Sequence, residues 1–268
     1  MPTLMRLVAS CGLAIASLFM DAKEAKADNW WEYSATNGFG FQTFELNARY
    51  ATGTTGAMRI DGTVGVAITP YHAIQGDLGV VKYDWSWWGV IGVHLSMTPS
   101  ERIKYGLFAS ISDADDLSMF EWNAGVELGW APTERSYVQV RAGMGWITPG
   151  GNDYLFISAD GVYGITDSLR ATAHLSFVNY EETGARANQF VFGAGLEYDI
   201  GSTPITAYGG IERTFSVGAS DLRDETRIVA GVRLRMGRQN GTSVRDRPWT
   251  QIRPFEGHMA ANVIAGTF

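Results

Sequence analysis

Residues 119–148 read MFEWNAGVELGWAPTERSYVQVRAGMGWIT, and the order of residue types in this stretch decides the fold. Phe120, Trp122, Ala124, Val126, Leu128 and Trp130 alternate with Glu121, Asn123, Gly125, Glu127 and Gly129. Beyond Ala131-Pro132-Thr133, Val138, Val140, Ala142, Met144 and Trp146 alternate with Tyr137, Gln139, Arg141, Gly143 and Gly145. A repeat of two is that of a β-strand, whose successive side chains point to opposite faces. Each segment therefore carries one apolar and one polar face, and the short Pro-containing break predicts an antiparallel hairpin.

Outward from this hairpin the same alternation recurs, and no window of a dozen residues shows the i, i+3, i+4, i+7 spacing of a helix. The reading is all-β, with twelve strands from about 39–50 to about 226–236, most of them about 9 to 13 residues long. Ordinary globular strands are nearer five or six residues, whereas a tilted strand needs roughly 9 to 11 to cross a bilayer. Phe120 and Trp130 share the apolar face of one strand. At roughly 3.4 Å per residue and a tilt near 40° they stand about 25 Å apart along the membrane normal, the height of a lipid-facing band between two aromatic belts. Trp85, Trp87, Trp88 and Trp146 are assigned to the same interface belts. The breaks between strands are short and rich in turn formers, as in Thr69-Pro70-Tyr71-His72 and Gly201-Ser202-Thr203-Pro204.

Composition narrows the function classes. With 46% hydrophobic residues and 18% charged ones, the chain can bury a core and is not of the disordered class. A net charge of −7 argues against a nucleic-acid partner. Residues 1–27 read as a signal peptide: Met1 to Arg6 is basic, LVASCGLAIASLFM (7–20) is an apolar run too short to span a membrane, and Ala25-Lys26-Ala27 offers a cleavage site. The only cysteine, Cys11, leaves with it, so disulfide, thiolate and Cys-metal chemistry are excluded from the mature chain.

With long alternating strands, short turns, an export signal and sorted aromatics, residues 39–236, within an expected barrel domain of 28–236, resemble the outer-membrane β-barrels of Gram-negative bacteria. The resemblance is one of architecture. It implies a transmembrane antiparallel up-and-down β-barrel, integral to the outer membrane, with lipids and the barrel-assembly machinery as partners and no cofactor. Twelve strands satisfy the even-number rule, as ten or fourteen would, and place both ends in the periplasm. Such barrels often end on an aromatic residue of the last strand. Here strand twelve ends Leu234-Arg235-Met236, so residues 237–268, with their polar, basic start and terminal Phe268, are expected to form a periplasmic tail outside the barrel.

The polar faces must line a lumen too wide for wall side chains alone to fill. Hairpin centres predict that Glu127 faces Arg141, Arg141 faces Asp160, and Asp160 faces His174, a ladder that either filters solutes or stiffens the wall. His174-Leu175-Ser176 resembles the His-x-Ser pair of outer-membrane lipid hydrolases, with Asp160 as orienting acid. Phe177-Val178-Asn179 then departs from the pattern of those families, and the pair faces the lumen instead of lipid. The acidic groups Asp113, Asp115, Asp116 and Asp221, Asp224, Glu225 read as solvated loop charge, and no metal-spaced cluster is present. The expected function is a non-enzymatic, passive channel for small hydrophilic solutes. The alternatives are a structural or surface-interaction barrel with a plugged lumen and, behind it, a lipid hydrolase.

Overall fold

A strand sheet with one apolar and one polar face leaves unpaired N–H and C=O groups along its two edges, and only closure removes them. In the computed structural model the chain does this with twelve strands: β1 (Gly40–Ala51), β2 (Ala57–Ala67), β3 (His72–Tyr83), β4 (Trp87–Ser100), β5 (Ile103–Ala114), β6 (Met119–Thr133), β7 (Ser136–Thr148), β8 (Asn152–Gly164), β9 (Leu169–Glu182), β10 (Ala185–Asp199), β11 (Ile205–Val217) and β12 (Glu225–Gly237). The structure describes residues 40–53, 57–83, 86–114, 119–148, 152–182, 185–217, 224–237, 244 and 247–252. The expected signal peptide, Trp85, Asp115, Asp116, Asp221 and Phe268 lie outside them.

Each strand pairs antiparallel with its sequence neighbours, and β1 pairs with β12 from Thr43↔Gly237 to Ala51↔Val229 to close the barrel. This is the expected all-β up-and-down barrel with twelve strands. The strands run to 15 residues, beyond the expected lengths, because β6 and β10 continue past the apolar band into the turns.

The burial pattern is inside-out. Leu107 is 58% exposed and Ile228 61% exposed on the outer face, while His94 is fully enclosed and Gln139 is 1% exposed on the inner one. In water this would place the hydrophobic residues on the wrong side; in hydrocarbon it is the stable arrangement. The outer face also sorts along its height. Phe120, Trp122 and Trp146 lie toward the end of β6 and β7 away from the chain termini, where Trp122 and Trp146 stack at 4.1 Å, and Trp87 is exposed at the same end of β4. Trp130, Tyr105, Tyr163 and Tyr198 are exposed near the other end, where the chain enters β1 and leaves β12. Trp88 departs from the expected belt: it is 1% exposed and points inward. Trp87 and Trp88 are adjacent, and strand alternation sends only one of them to the lipid face.

Candidate functional site: a polar lumen and the tail inside it

The inner face of β3, β4, β6 and β7 carries a continuous polar chain. His94 on β4 sits between two carboxylates, with Nε2 2.9 Å from Asp77 Oδ2 and Nδ1 2.7 Å from Glu127 Oε1. Both ring nitrogens meet acceptors, so this trio holds a proton beyond neutral imidazole, as imidazolium or on a carboxyl group. Glu127 reaches His94 from β6 across β5 because the intervening lumen-facing residue is Gly106, where an added Cβ would meet Leu95 O at 2.5 Å and Glu127 Oε1 at 3.4 Å. On its other side Glu127 Oε2 accepts from Arg141 Nη2 at 3.1 Å. Asp77 also accepts from Thr63 and from Gln75, each at 2.9 Å.

Of the expected ladder, Glu127 does face Arg141, and Asp160 faces His174 with an Nδ1 to Oδ1 distance of 2.8 Å. The middle step is displaced: Arg141 lies opposite Ser158, and Asp160 lies opposite Gln139. The β7–β8 connection is centred one residue earlier than the Pro-Gly-Gly stretch suggests, and a one-residue shift of a hairpin centre moves its register by two.

The missing link comes from the tail. Residues 247–252 are inside the barrel, so the described part of the tail does not occupy the expected place outside it. Val244 starts the path at the short-turn end, fully enclosed with Ala131 and Tyr137, and its N–H donates to Glu101 O. The main chain then rises along the wall, held by wall side chains. Lys104 Nζ donates to Arg247 O at 2.5 Å. The amide of Gln75 accepts from Trp249 N at 2.8 Å and donates to Trp249 O at 3.1 Å, imitating a strand partner. Thr250 N donates to Gln139 Oε1 at 3.0 Å, and Arg141 Nη2 donates to Thr250 O at 2.6 Å. Arg59 Nη2 closes the series on Ile252 O at 3.1 Å. Thr250 Oγ1, 3.4 Å from Asp160 Oδ2, joins Arg141 to Asp160.

Two side chains of the tail fit the wall. Trp249 is 2% exposed, with Lys104 Nζ 3.9 Å from its ring centre, and it rests where a Cβ on Gly106 would stand 3.3 Å from Cζ2. Ile252 occupies the space of a Cβ on Gly92, 3.1 Å from its Cδ1. Nothing in the tail's polar composition signals this docking. The available signal was Pro248-Trp249 followed by Ile252, apolar residues set in a polar, basic stretch.

The tail fills the β2–β7 side and leaves the other side open. A cavity of about 220 Å³ lies against β1 and β8–β12, and a second of about 120 Å³ lies toward the other end. Both are lined by Asp160, His174, Glu212, Thr250 and Gln251, so they meet at the Asp160–His174 pair. Ser176 lines the second cavity on the same face as His174. At the terminus end of the wall, Arg170 pairs with Asp199 and Glu197, Arg233 with Glu197 and Glu45, and Arg235 with Glu45. Among the described residues no cluster of His, Asp or Glu is arranged to hold a metal ion.

No protein-family model and no curated protein sequence matches the chain. Solved structures do. The chain is similar to the COG4313 outer membrane channel from Pseudomonas putida F1 at 9% identity and a TM-score of 0.54, over 74% of this chain and 96% of that one. It is similar to the KdgM porin solved in complex with disordered oligogalacturonate, at 10% identity and a TM-score of 0.51, over 71% of this chain and 98% of that one. The NanC porin aligns at 12% identity and a TM-score of 0.51, over 70% of this chain and 98% of that one. At such identities the likeness is one of fold: the chain has the architecture of outer-membrane β-barrels.

Proposed function

We propose that the protein is a passive, non-enzymatic channel for small hydrophilic solutes, integral to the outer membrane. It would be delivered there through an N-terminal signal peptide and the barrel-assembly machinery. The observation that carries the reading is the pair of cavities that meet at Asp160 and His174 beside the tail. Charged and hydrogen-bonding groups stand in the walls of both, beside apolar ones such as Phe156 and Val178 in the smaller, and those charged groups suit hydrated solutes. Barrels of the same fold described as porins and as a channel accord with it. The tail sets the bore, so the channel is narrow, and the waist is formed by Asp160 and His174 on one side and Thr250 and Gln251 on the other.

The reading predicts that the refolded protein conducts ions in a planar bilayer in small steps. Shortening it after residue 237 should enlarge those steps several-fold, because the β2–β7 half of the lumen is then vacated. If neither form carries current, the barrel is a structural one with a plugged lumen.

A further inference from the structure

The charges around the larger cavity nearly balance, because Asp199 behind the lining also pairs with Arg170, but one of the cations has no carboxylate partner among the described residues. Among the described residues six guanidinium groups and five carboxylates line it. At the terminus end the three acids Glu45, Glu197 and Asp199 are already engaged by Arg170, Arg233 and Arg235. Arg247 enters from the tail as a fourth guanidinium. Its head group stacks 4.8 Å from the Tyr137 ring, and among the described residues no carboxylate pairs with it. Burial pushes its pKa down, and the charge of Arg235 pushes in the same direction, to about 10, so at neutral pH it is a cation held where cations are costly. Arg235 lies beside it, so two guanidinium groups share this end of the cavity while only Arg235 is paired to a carboxylate, Glu45.

An enclosed guanidinium with a second one beside it and no carboxylate partner among the described residues is stabilised by an anion. We infer that Arg247 and Arg235, at the edge of the larger cavity, form a binding site for a small oxyanion, a carboxylate or a phosphate. One wall of this site is the tail. Anion binding and tail docking are therefore coupled: an anion bridging Arg247 to the barrel holds the tail in place, and by reciprocity the docked tail raises anion affinity. The planar donor fork of arginine selects two-oxygen groups over chloride.

Hydrogen exchange of the full-length protein in detergent, read by mass spectrometry over residues 244–252, tests this without reference to current. The barrel is held in sodium phosphate, sodium acetate or sodium chloride at one ionic strength and pH. Exchange at Trp249 and Thr250 should slow in phosphate or acetate relative to chloride, by about tenfold when the anion is ten times above its dissociation constant. Arg247→Gln should abolish this difference, while Gln75 and Gln139 still hold the tail; Arg247→Lys, which keeps the charge and loses the fork, should retain part of it. Equal exchange in the three salts overturns the inference, and so does a response that survives in Arg247→Gln. A barrel that passes no current yet shows the salt response would sink the channel reading and leave the anion site standing.

Discussion

Arg141 is the residue on which the two halves of the lumen turn. Its guanidinium is 7% exposed, Glu127 beyond it is fully enclosed, and Glu127 in turn shares a proton network with His94 and Asp77. Removing the cation leaves Glu127 to be balanced by His94 alone and releases Thr250 O from its donor. A pair broken in an enclosed site costs about 3–5 kcal/mol, against about 1 kcal/mol or less where water screens it. Arg141→Ala should therefore lower the unfolding free energy in detergent by several kcal/mol. Arg141 borders the smaller cavity and its removal adds no obstruction, so the same variant should still conduct. A loss below about 1 kcal/mol would mean that water reaches the Glu127–Arg141 contact. From sequence, hairpin counting supplied Glu127 opposite Arg141 and Asp160 opposite His174. His94 was hidden because its two acids lie on different strands, one beyond an intervening strand, where Gly106 leaves room for the reach.

At the scale of elements, the strands were legible and the tail was not. A strand reports itself locally, through alternation, and every one of the twelve carries it. Docking of residues 247–252 depends on Gln75, Lys104, Gln139 and Arg141 from three strands, a convergence that closure of the barrel creates and no local pattern records. The tail is also where pH should act. Arg247 has its pKa depressed to about 10 when docked, below its ordinary value of 12.5, so the docked state binds the proton less well than the free tail does. The penalty is complete below pH 10 and is relieved as pH rises through 10 toward 12.5. In bilayers, the native protein and Arg247→Gln should differ less and less in tail-docked, low-conductance dwell as pH rises through 10, because the docked native side chain then loses its charge. A difference that grows over this range would reverse the sign of the argument.

For the whole molecule, the ladder from Thr43↔Gly237 around to β12 uses nothing beyond residue 237. The barrel should therefore survive deletion of 238–268. Both the truncated and the full-length protein are expected to migrate on gels as compact, heat-modifiable species in detergent; failure of the truncated one alone to acquire that form would make the tail part of the folding unit instead of its cargo. Twelve long strands with apolar outsides were readable at this scale because closure and lipid together leave few alternatives for such a pattern. The Gln75 clasp on Trp249 has one more consequence, which concerns time. Gln75 lies on β3, Gln139 on β7 and Thr250 after β12, so residues that follow all twelve strands in sequence come to lie inside the wall those strands build. They can take their places only once the wall around them exists. Protection of Trp249 then serves as a built-in certificate of completion, since a barrel caught half-assembled has no cradle in which to put it.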